Sequence, residues 1–330
     1  MDLSKFTGAA VAIIKSDGIK LLKTAGLANI EHDTPVKEDT LFMVASISKL
    51  FVGVAILQLT EKGKLDLDED INVHLRVKVN HPSGQKITGR QLLKHRAGLR
   101  DDESGLNQWR ELGNKHYSTP LEEHVRDQLT PEGKYYKSTI WSSAPPGGNY
   151  FYSNAGFTLL GYLIETASGE SFYEYMENYI FSPLGIATAT WMVPADTGNV
   201  AMPYSISRIP LGHYCVAQYP ACQLRISITD LAKFLLFFTC GHVDGFKLLS
   251  EESVSIMCPA NFCDSLAWWG QDASYGYSWK EVFIHGGFMS GVRTEINFYP
   301  KQKSGFIILT NGEVDYHNLV EVCEKIMQTL

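Results

Sequence analysis

A hydroxyl and an amine, Ser46 and Lys49, stand three residues apart where the nearly unbroken apolar run FMVASISKLFVGVAILQL (Phe42–Leu59) begins. If that run is a helix, a serine in its first turn meets free backbone N–H groups and the positive end of the helix dipole. Both favour negative charge developing on an oxygen. The serine's own N–H can serve as half of an oxyanion hole. Lys49 falls on the same helical face, within reach of the Ser46 hydroxyl. Apolar surroundings penalise its charged form and lower its pKa toward that of a useful base. Ser-x-x-Lys is therefore a compact nucleophile–base pair. Alone the pattern is weak, because serine is also a common helix cap. A second copy, Ser83 to Lys86, stands in a polar stretch beside Pro82 and reads as a surface turn.

Two further clusters give the pair context. Tyr152-Ser153-Asn154 follows the Pro145–Gly148 turn and precedes a helical stretch. A tyrosine delivered from such a loop can relay protons, and an asparagine two residues on can hold a substrate carbonyl or the lysine. His285-Gly286-Gly287 follows the strand-like Glu281–Ile284, where glycines let a backbone edge approach a substrate closely. The N–H of Phe288 is then the candidate second donor of an oxyanion hole.

These residues need a frame. Residues 8–15 and 19–27 are short apolar runs split by Ser16-Asp17-Gly18, a hairpin signature. Residues 281–287, 292–300 and 304–312 again read as strands, and 316–330 as an amphipathic helix. Between them the pattern is helical: 87–99 stopping at Gly98, 154–169 ending on Gly169, 171–181 opened by Ser171, and 227–241 ending on Gly241. The simplest architecture is one sheet built from both ends of the chain, with a helical lobe inserted. We expect a single domain over 1–330, with 1–62 and 226–330 forming an α/β lobe and 63–225 a helical lobe. The long aromatic loop 131–151 is expected to be functional.

The bulk numbers exclude several classes. The chain has 330 residues, 45% hydrophobic and 20% charged, ordinary values for a globular protein with a sizeable core. Its net charge of −7 and scattered Lys and Arg argue against nucleic acid. No apolar run is long enough to span a membrane. The first residues lack a signal-peptide pattern, so a cytoplasmic location is expected, or a leader has been removed. The six cysteines have no CxxC spacing, which argues against a disulfide framework or a zinc site. No cofactor and no metal are expected.

Taken in order, SISK, YSN and HGG resemble the S-x-x-K, Y-x-N and H/K-x-G motifs of the serine β-lactamase and penicillin-binding-protein-like hydrolases. The likeness is to the branch of class C β-lactamases, D-alanyl-D-alanine carboxypeptidases, D-aminopeptidases and family VIII carboxylesterases. Flanking segments are similar too: LLKHRAGL (92–99), with Arg96 and Ala97 as departures, PPGGNYFYSNAGFTLLGYLIE (145–165) and YGYSW (275–279). The resemblance covers roughly residues 8–312. It implies an α/β fold of α+β type, a β-lactamase/transpeptidase-like antiparallel sheet flanked by helices plus an inserted all-helical lobe, with the site between them. Family members carry a longer N-terminal helix before the first strand. Part of the outer cover of the sheet is therefore expected to be missing here or supplied by another copy, which would make a homo-oligomer.

The resemblance implies Ser46 as a nucleophile forming an acyl-enzyme and Lys49 as its base. Tyr152 would share the proton, as base in deacylation and as acid to the leaving group. Asn154 would orient Lys49 and the substrate. His285, Gly287 and Phe288 would bind substrate. Each residue also has a plain structural reading: a cap for Ser46 and Asn154, a snorkelling lysine, a packed loop aromatic, a strand-end histidine. His95 is expected to tie two loops together. Tyr135, Tyr136, Trp141, Trp268 and Trp269 are candidates to line an acyl pocket. The implied partners are small esters, amides or D-peptides. A non-catalytic scaffold of the same fold, a β-lactamase and an acyltransferase remain alternatives.

Overall fold

The computed structural model describes residues 2–101, 110–112, 119–272, 280–314 and 316–328. Both ends of the chain build one antiparallel sheet. Its strands are β1 (Gly8–Lys15), β2 (Gly18–Asn29), β3 (Thr34–Pro35), β4 (Trp269–Asp272), β5 (Lys280–Met289), β6 (Val292–Tyr299) and β7 (Ser304–Thr310). Their spatial order is β3-β2-β1-β7-β6-β5-β4. β1 sits inside the sheet, third from one edge, with both faces covered, which is why it reads as an unbroken apolar run rather than an alternation. The β1–β2 hairpin turns over Ser16 and Asp17, with Lys15 opposite Gly18.

The inner face of the sheet packs on α7 (Ile228–Cys240), and α1 (Ser48–Glu61) runs through the centre of the molecule. Every residue of α1 from Ser48 to Leu59 is buried. A helix apolar on all sides has no solvent face to offer, so it becomes an axle for other elements. Around it lie α2 (Gly89–Leu93), α3 (Leu121–Leu129), α4 (Asn154–Ser168), α5 (Phe172–Met176) and α6 (Tyr219–Cys222). The expected caps are present: Ser171 closes a capping box with Glu174, and α4 and α7 end on left-handed Gly169 and Gly241. α2 stops earlier than its sequence pattern predicts, because His95 adopts a left-handed φ of 54°.

One expectation is corrected. The inserted region is not all helical: Arg110–Leu112 pairs with Tyr214–Val216 in a small ribbon. In addition, the outer face of the central strands carries cover from the C-terminal helix that the sequence pattern predicts. α9 (Tyr316–Met327, with α8 being Glu251–Met257) lays Leu319, Val322, Cys323 and Ile326 over Val11 and Ile308, and Leu3 and Phe6 join that cluster. The 275–279 segment lies outside the described residues. No helix among those described is long and apolar enough to cross a membrane.

Candidate active site

Ser46 sits in the single 3-10 turn Ala45–Ile47 that leads into α1. Ala45 is left-handed, with φ 48°, a conformation that costs a non-glycine residue free energy and needs support from its surroundings. The support is visible. Thr294 Oγ1 on β6 donates to Val44 O at 2.9 Å, and Ser48 Oγ donates to Ala45 O at 2.6 Å. The Val44 N–H donates to Leu224 O at 2.8 Å.

Lys49 Nζ reaches three acceptors: Ser46 Oγ at 3.1 Å, Asn154 Oδ1 at 2.7 Å and Ala221 O of α6 at 2.9 Å. The side chain is fully buried. Burial lowers its pKa to about 8, against weaker pulls upward from Cys222 and Asp101. The Tyr152 hydroxyl donates to Ser46 Oγ at 2.7 Å. Burial also holds that phenol well above its ordinary pKa.

The structure thus brings together Ser46 and Lys49 from the start of α1 with Tyr152 and Asn154 from the start of α4, two separate segments. The Ser83–Lys86 copy does no such thing: Ser83 Oγ bonds His81 Nδ1, and Lys86 Nζ donates to Asp68 O. His95 joins the loop after α2 to the Tyr152 loop, its Nδ1 accepting from Ser153 N at 3.1 Å and its carbonyl from Phe151 N at 2.8 Å. Its ring lies 4.5 Å from that of Tyr152.

β5 closes the other side. Neighbours along a strand face opposite ways, so His285 and Gly287 share the face turned to the Ser46 turn. A Cβ on Gly287 would overlap Val44 O and Thr294 Oγ1, whereas one on Gly286 would meet nothing within 4 Å. His285 is fully buried with its ring stacked on Trp269 at 5.2 Å. Burial, then the nearby Lys49 charge, lowers its pKa to about 3. The imidazole is therefore uncharged near neutral pH.

Phe288 contributes through its backbone. In an antiparallel ladder, residues alternate between facing their partner and turning their N–H and C=O away. Arg293 lies opposite Phe288 on one side and Thr310 on the other. Its carbonyl turns to Thr310, whose Oγ1 donates to it at 2.8 Å. Phe288 is thus left with its N–H directed off the far edge of β5. β4 pairs along that edge no further than Ile284. An N–H therefore projects from a strand pressed against the Ser46 turn. The Phe288 side chain is 67% exposed, and the Arg293 guanidinium lies 3.2 Å from its ring centre.

A cavity of about 270 Å³ opens beside His95, lined also by Tyr150, Trp268 and Trp269. Trp141 does not line it: that ring is buried against His81. Among the described residues no cluster of His, Cys, Asp or Glu could hold a metal ion, and all six cysteines are free thiols. The sequence reading missed Asp101, which accepts from Asn154 N and Nδ2. The signal available was a carboxylate two residues after the LLKHRAGL segment, adjacent to no motif.

The sequence profile of the β-lactamase family matches residues 1–321, and the chain belongs to that family of serine hydrolases. Protein flp of Staphylococcus aureus is 24% identical over 330 residues, covering 96% of this chain; the chain spans 62% of the length of flp. The octameric penicillin-binding protein homologue from Pyrococcus abyssi superposes with a TM-score of 0.71 at 25% identity, over 94% of this chain and 70% of that one. A β-lactamase/D-alanine carboxypeptidase from Pseudomonas syringae gives 0.78 at 20% identity, over 98% and 94%. EstCE1, described as a hydrolase with promiscuous acyltransferase activity, gives 0.73 at 20%, over 93% and 89%. The β-lactamase/transpeptidase-like fold expected from the motifs is the fold of these proteins.

Proposed function

We propose that the chain is an acyl-enzyme hydrolase with Ser46 as nucleophile, acting on small esters in preference to β-lactams. The observation that carries the reading is the convergence of Lys49 Nζ, at 3.1 Å, and the Tyr152 hydroxyl, at 2.7 Å, on one serine oxygen. With its pKa at about 8, Lys49 is in part a neutral amine at moderate pH and takes the Ser46 proton. The serine oxygen then bonds to the ester carbonyl carbon. The N–H groups of Ser46 and Phe288 receive the charge on the carbonyl oxygen. Collapse breaks the bond to the alcohol, which leaves with a proton from Tyr152, itself resupplied from Lys49. Water reverses the sequence to release the acid. Because its phenol is held protonated, Tyr152 relays a proton and the base role falls to Lys49, in place of the shared role expected from the motifs.

The preference for esters rests on the β5 edge. A β-lactam or a C-terminal D-amino acid brings a carboxylate. Gly287, which faces the Ser46 turn, offers it no side-chain donor, neutral His285 offers no charge, and the Arg293 guanidinium donates to the carbonyls of Met289 and Val292. A site without the matching donor gains nothing from the carboxylate. The test compares kcat/KM for p-nitrophenyl butyrate, a D-amino acid amide and a cephalosporin, with Ser46→Ala as blank. The ester is expected to be turned over fastest. A faster cephalosporin would overturn the ester preference, and activity surviving in Ser46→Ala would overturn the nucleophile.

A further inference from the structure

Asp101 lies in the loop after α2, outside all three motifs, and its carboxylate is spent on the start of α4. It accepts from Asn154 N at 2.8 and 2.9 Å through its two oxygens, from Ala155 N at 3.2 Å and from Asn154 Nδ2 at 2.6 Å. Ser153 Oγ stands 3.5 Å away. An ionised carboxylate only accepts hydrogen bonds, and an ammonium only donates them. Asn154 lies between one of each. Its amide nitrogen must therefore face Asp101, which leaves its oxygen 2.7 Å from Lys49 Nζ. The flipped amide would set oxygen against carboxylate and N–H against ammonium. We propose that Asp101 is a positioning residue of the Ser46 site: it locks the Asn154 amide in the one orientation that accepts from Lys49 and so holds Nζ on the Ser46 hydroxyl.

The position has an electrostatic side. The described groups facing Lys49 are Ser46 on its own turn, Tyr152 and Asn154 at the head of α4, Ala221 O and Cys222 on α6, His95 after α2, His285 on β5, and Asp101. The Cys222 thiol is pushed up to about 12 by burial, burial pushes the Tyr152 phenol up, and it holds both imidazoles low, so none of these four is charged near neutrality. Asp101 is the carboxylate of the set. Burial raises its own pKa while the Asn154 and Ala155 N–H groups and Lys49 oppose that. Its charge favours the ammonium form of Lys49. Removing it should therefore let Lys49 lose its proton at lower pH, while freeing the Asn154 amide to turn.

This inference rests on the acyl-enzyme reading above, and one experiment separates the two. The second-order rate of Ser46 modification by a fluorophosphonate is followed by intact-protein mass between pH 6 and 10 in wild type, Asp101→Asn and Asp101→Glu. The asparagine still offers an oxygen to the Asn154 and Ala155 backbone N–H groups, so the helix start keeps an acceptor. The expected result for Asp101→Asn is a plateau rate roughly 10–100-fold lower, the scale of a misplaced catalytic group, with the acid limb displaced to lower pH. Asp101→Glu should return the limb toward wild type. A labelled wild type with an unchanged limb and plateau in Asp101→Asn, whatever its melting temperature, overturns the proposal alone. A wild type that is never labelled at Ser46 removes the site and this proposal with it. If Asp101→Asn does not fold, Asn154→Ala tests the positioning half of the proposal, because it keeps the backbone bonds and the charge of Asp101 but removes the acceptor of Lys49; an unchanged plateau rate there overturns the proposal equally.

Discussion

The Tyr152 hydroxyl donates to Ser46 Oγ across 2.7 Å, from a loop that His95 helps tie to the end of α2. The contact is one hydroxyl on another, so it can be removed with little loss of packing. The Tyr152 ring would still lie against His95 and against Trp269, 5.8 Å away. Tyr152→Phe should therefore fold, with a melting temperature within a few degrees of wild type. Ester turnover should fall roughly 10²–10⁴-fold, the usual worth of a general acid–base group. Initial rates on p-nitrophenyl butyrate check this. Near-normal turnover would mean that the leaving group takes its proton elsewhere.

Much of this arrangement was legible in the sequence, for physical reasons that differ by element. The pairing of Ser46 with Lys49 follows from helical spacing, and the burial of Lys49 from the apolar run around it. The ends of α4 and α7 followed from glycines that alone tolerate the left-handed turn cheaply. What could not be read was long range. Asp101 meets Asn154 only because two loops fold against each other. Trp141 belongs to an aromatic loop near the Tyr152 motif, yet its ring packs on His81, since proximity along a chain does not set the direction of a side chain. The neutrality of His285 depends on its burial and then on the Lys49 charge, which reaches it from α1 across the site.

Lys49 should leave a mark on stability as well as on rate. Its folded pKa, about 8, lies below the ordinary lysine value of 10.5. Between these values the unfolded chain binds the extra proton, so this group makes stability rise with pH from about 8 to 10.5. At one pKa unit per 1.36 kcal/mol, the gain is on the order of 3 kcal/mol. Buried tyrosines and thiols with raised pKa values, such as Tyr152 and Cys222, work in the opposite sense over the same range. The difference between wild type and Lys49→Met isolates the lysine. Urea unfolding at pH 7.5 and pH 10 should show wild type gaining on the variant as pH rises, and the variant should have no measurable esterase activity. Parallel pH dependence in the two proteins would show that Lys49 is not the depressed group.

α4 and α6 meet where Gly161 faces Pro220, and a Cβ on Gly161 would stand 2.7 Å from Pro220 Cγ and 2.8 Å from its Cβ. Pro220 is followed by Ala221, whose carbonyl holds Lys49. Gly161→Ala must therefore move one helix or the other. Overpacking of this kind costs about 1–3 kcal/mol, offset in part by the better helix propensity of alanine. The expected outcome in chemical denaturation is a lower midpoint, accompanied by a several-fold loss of kcat from the displaced Ala221 carbonyl. A more stable and fully active variant would show that Pro220 yields freely.

The two glycines of the third motif should behave in opposite ways. Gly287 faces the Ser46 turn, where a methyl group would overlap Val44 O and Thr294 Oγ1 and sit 3.2 Å from Ala45 Cβ. Both named atoms belong to the bond that supports the left-handed Ala45. Gly287→Ala should therefore force β5 away from the turn and pull the Phe288 N–H from the oxyanion it would meet. Loss of one such donor costs about 10²–10³ in kcat, with destabilisation of a few kcal/mol from the overlap. Gly286 faces the other way into open space, so Gly286→Ser should fold with nearly unchanged stability. Because that side chain stands on the face turned from Ser46, Gly286→Ser should also leave the ratio of kcat/KM for a cephalosporin to that for p-nitrophenyl butyrate unmoved. The two specificity constants, measured in wild type and in both glycine variants, decide the matter. A ratio that moves in a stable Gly286→Ser would show that this face of β5 reaches the substrate, and an active Gly287→Ala would show that the Ser46 turn and β5 need not be in contact.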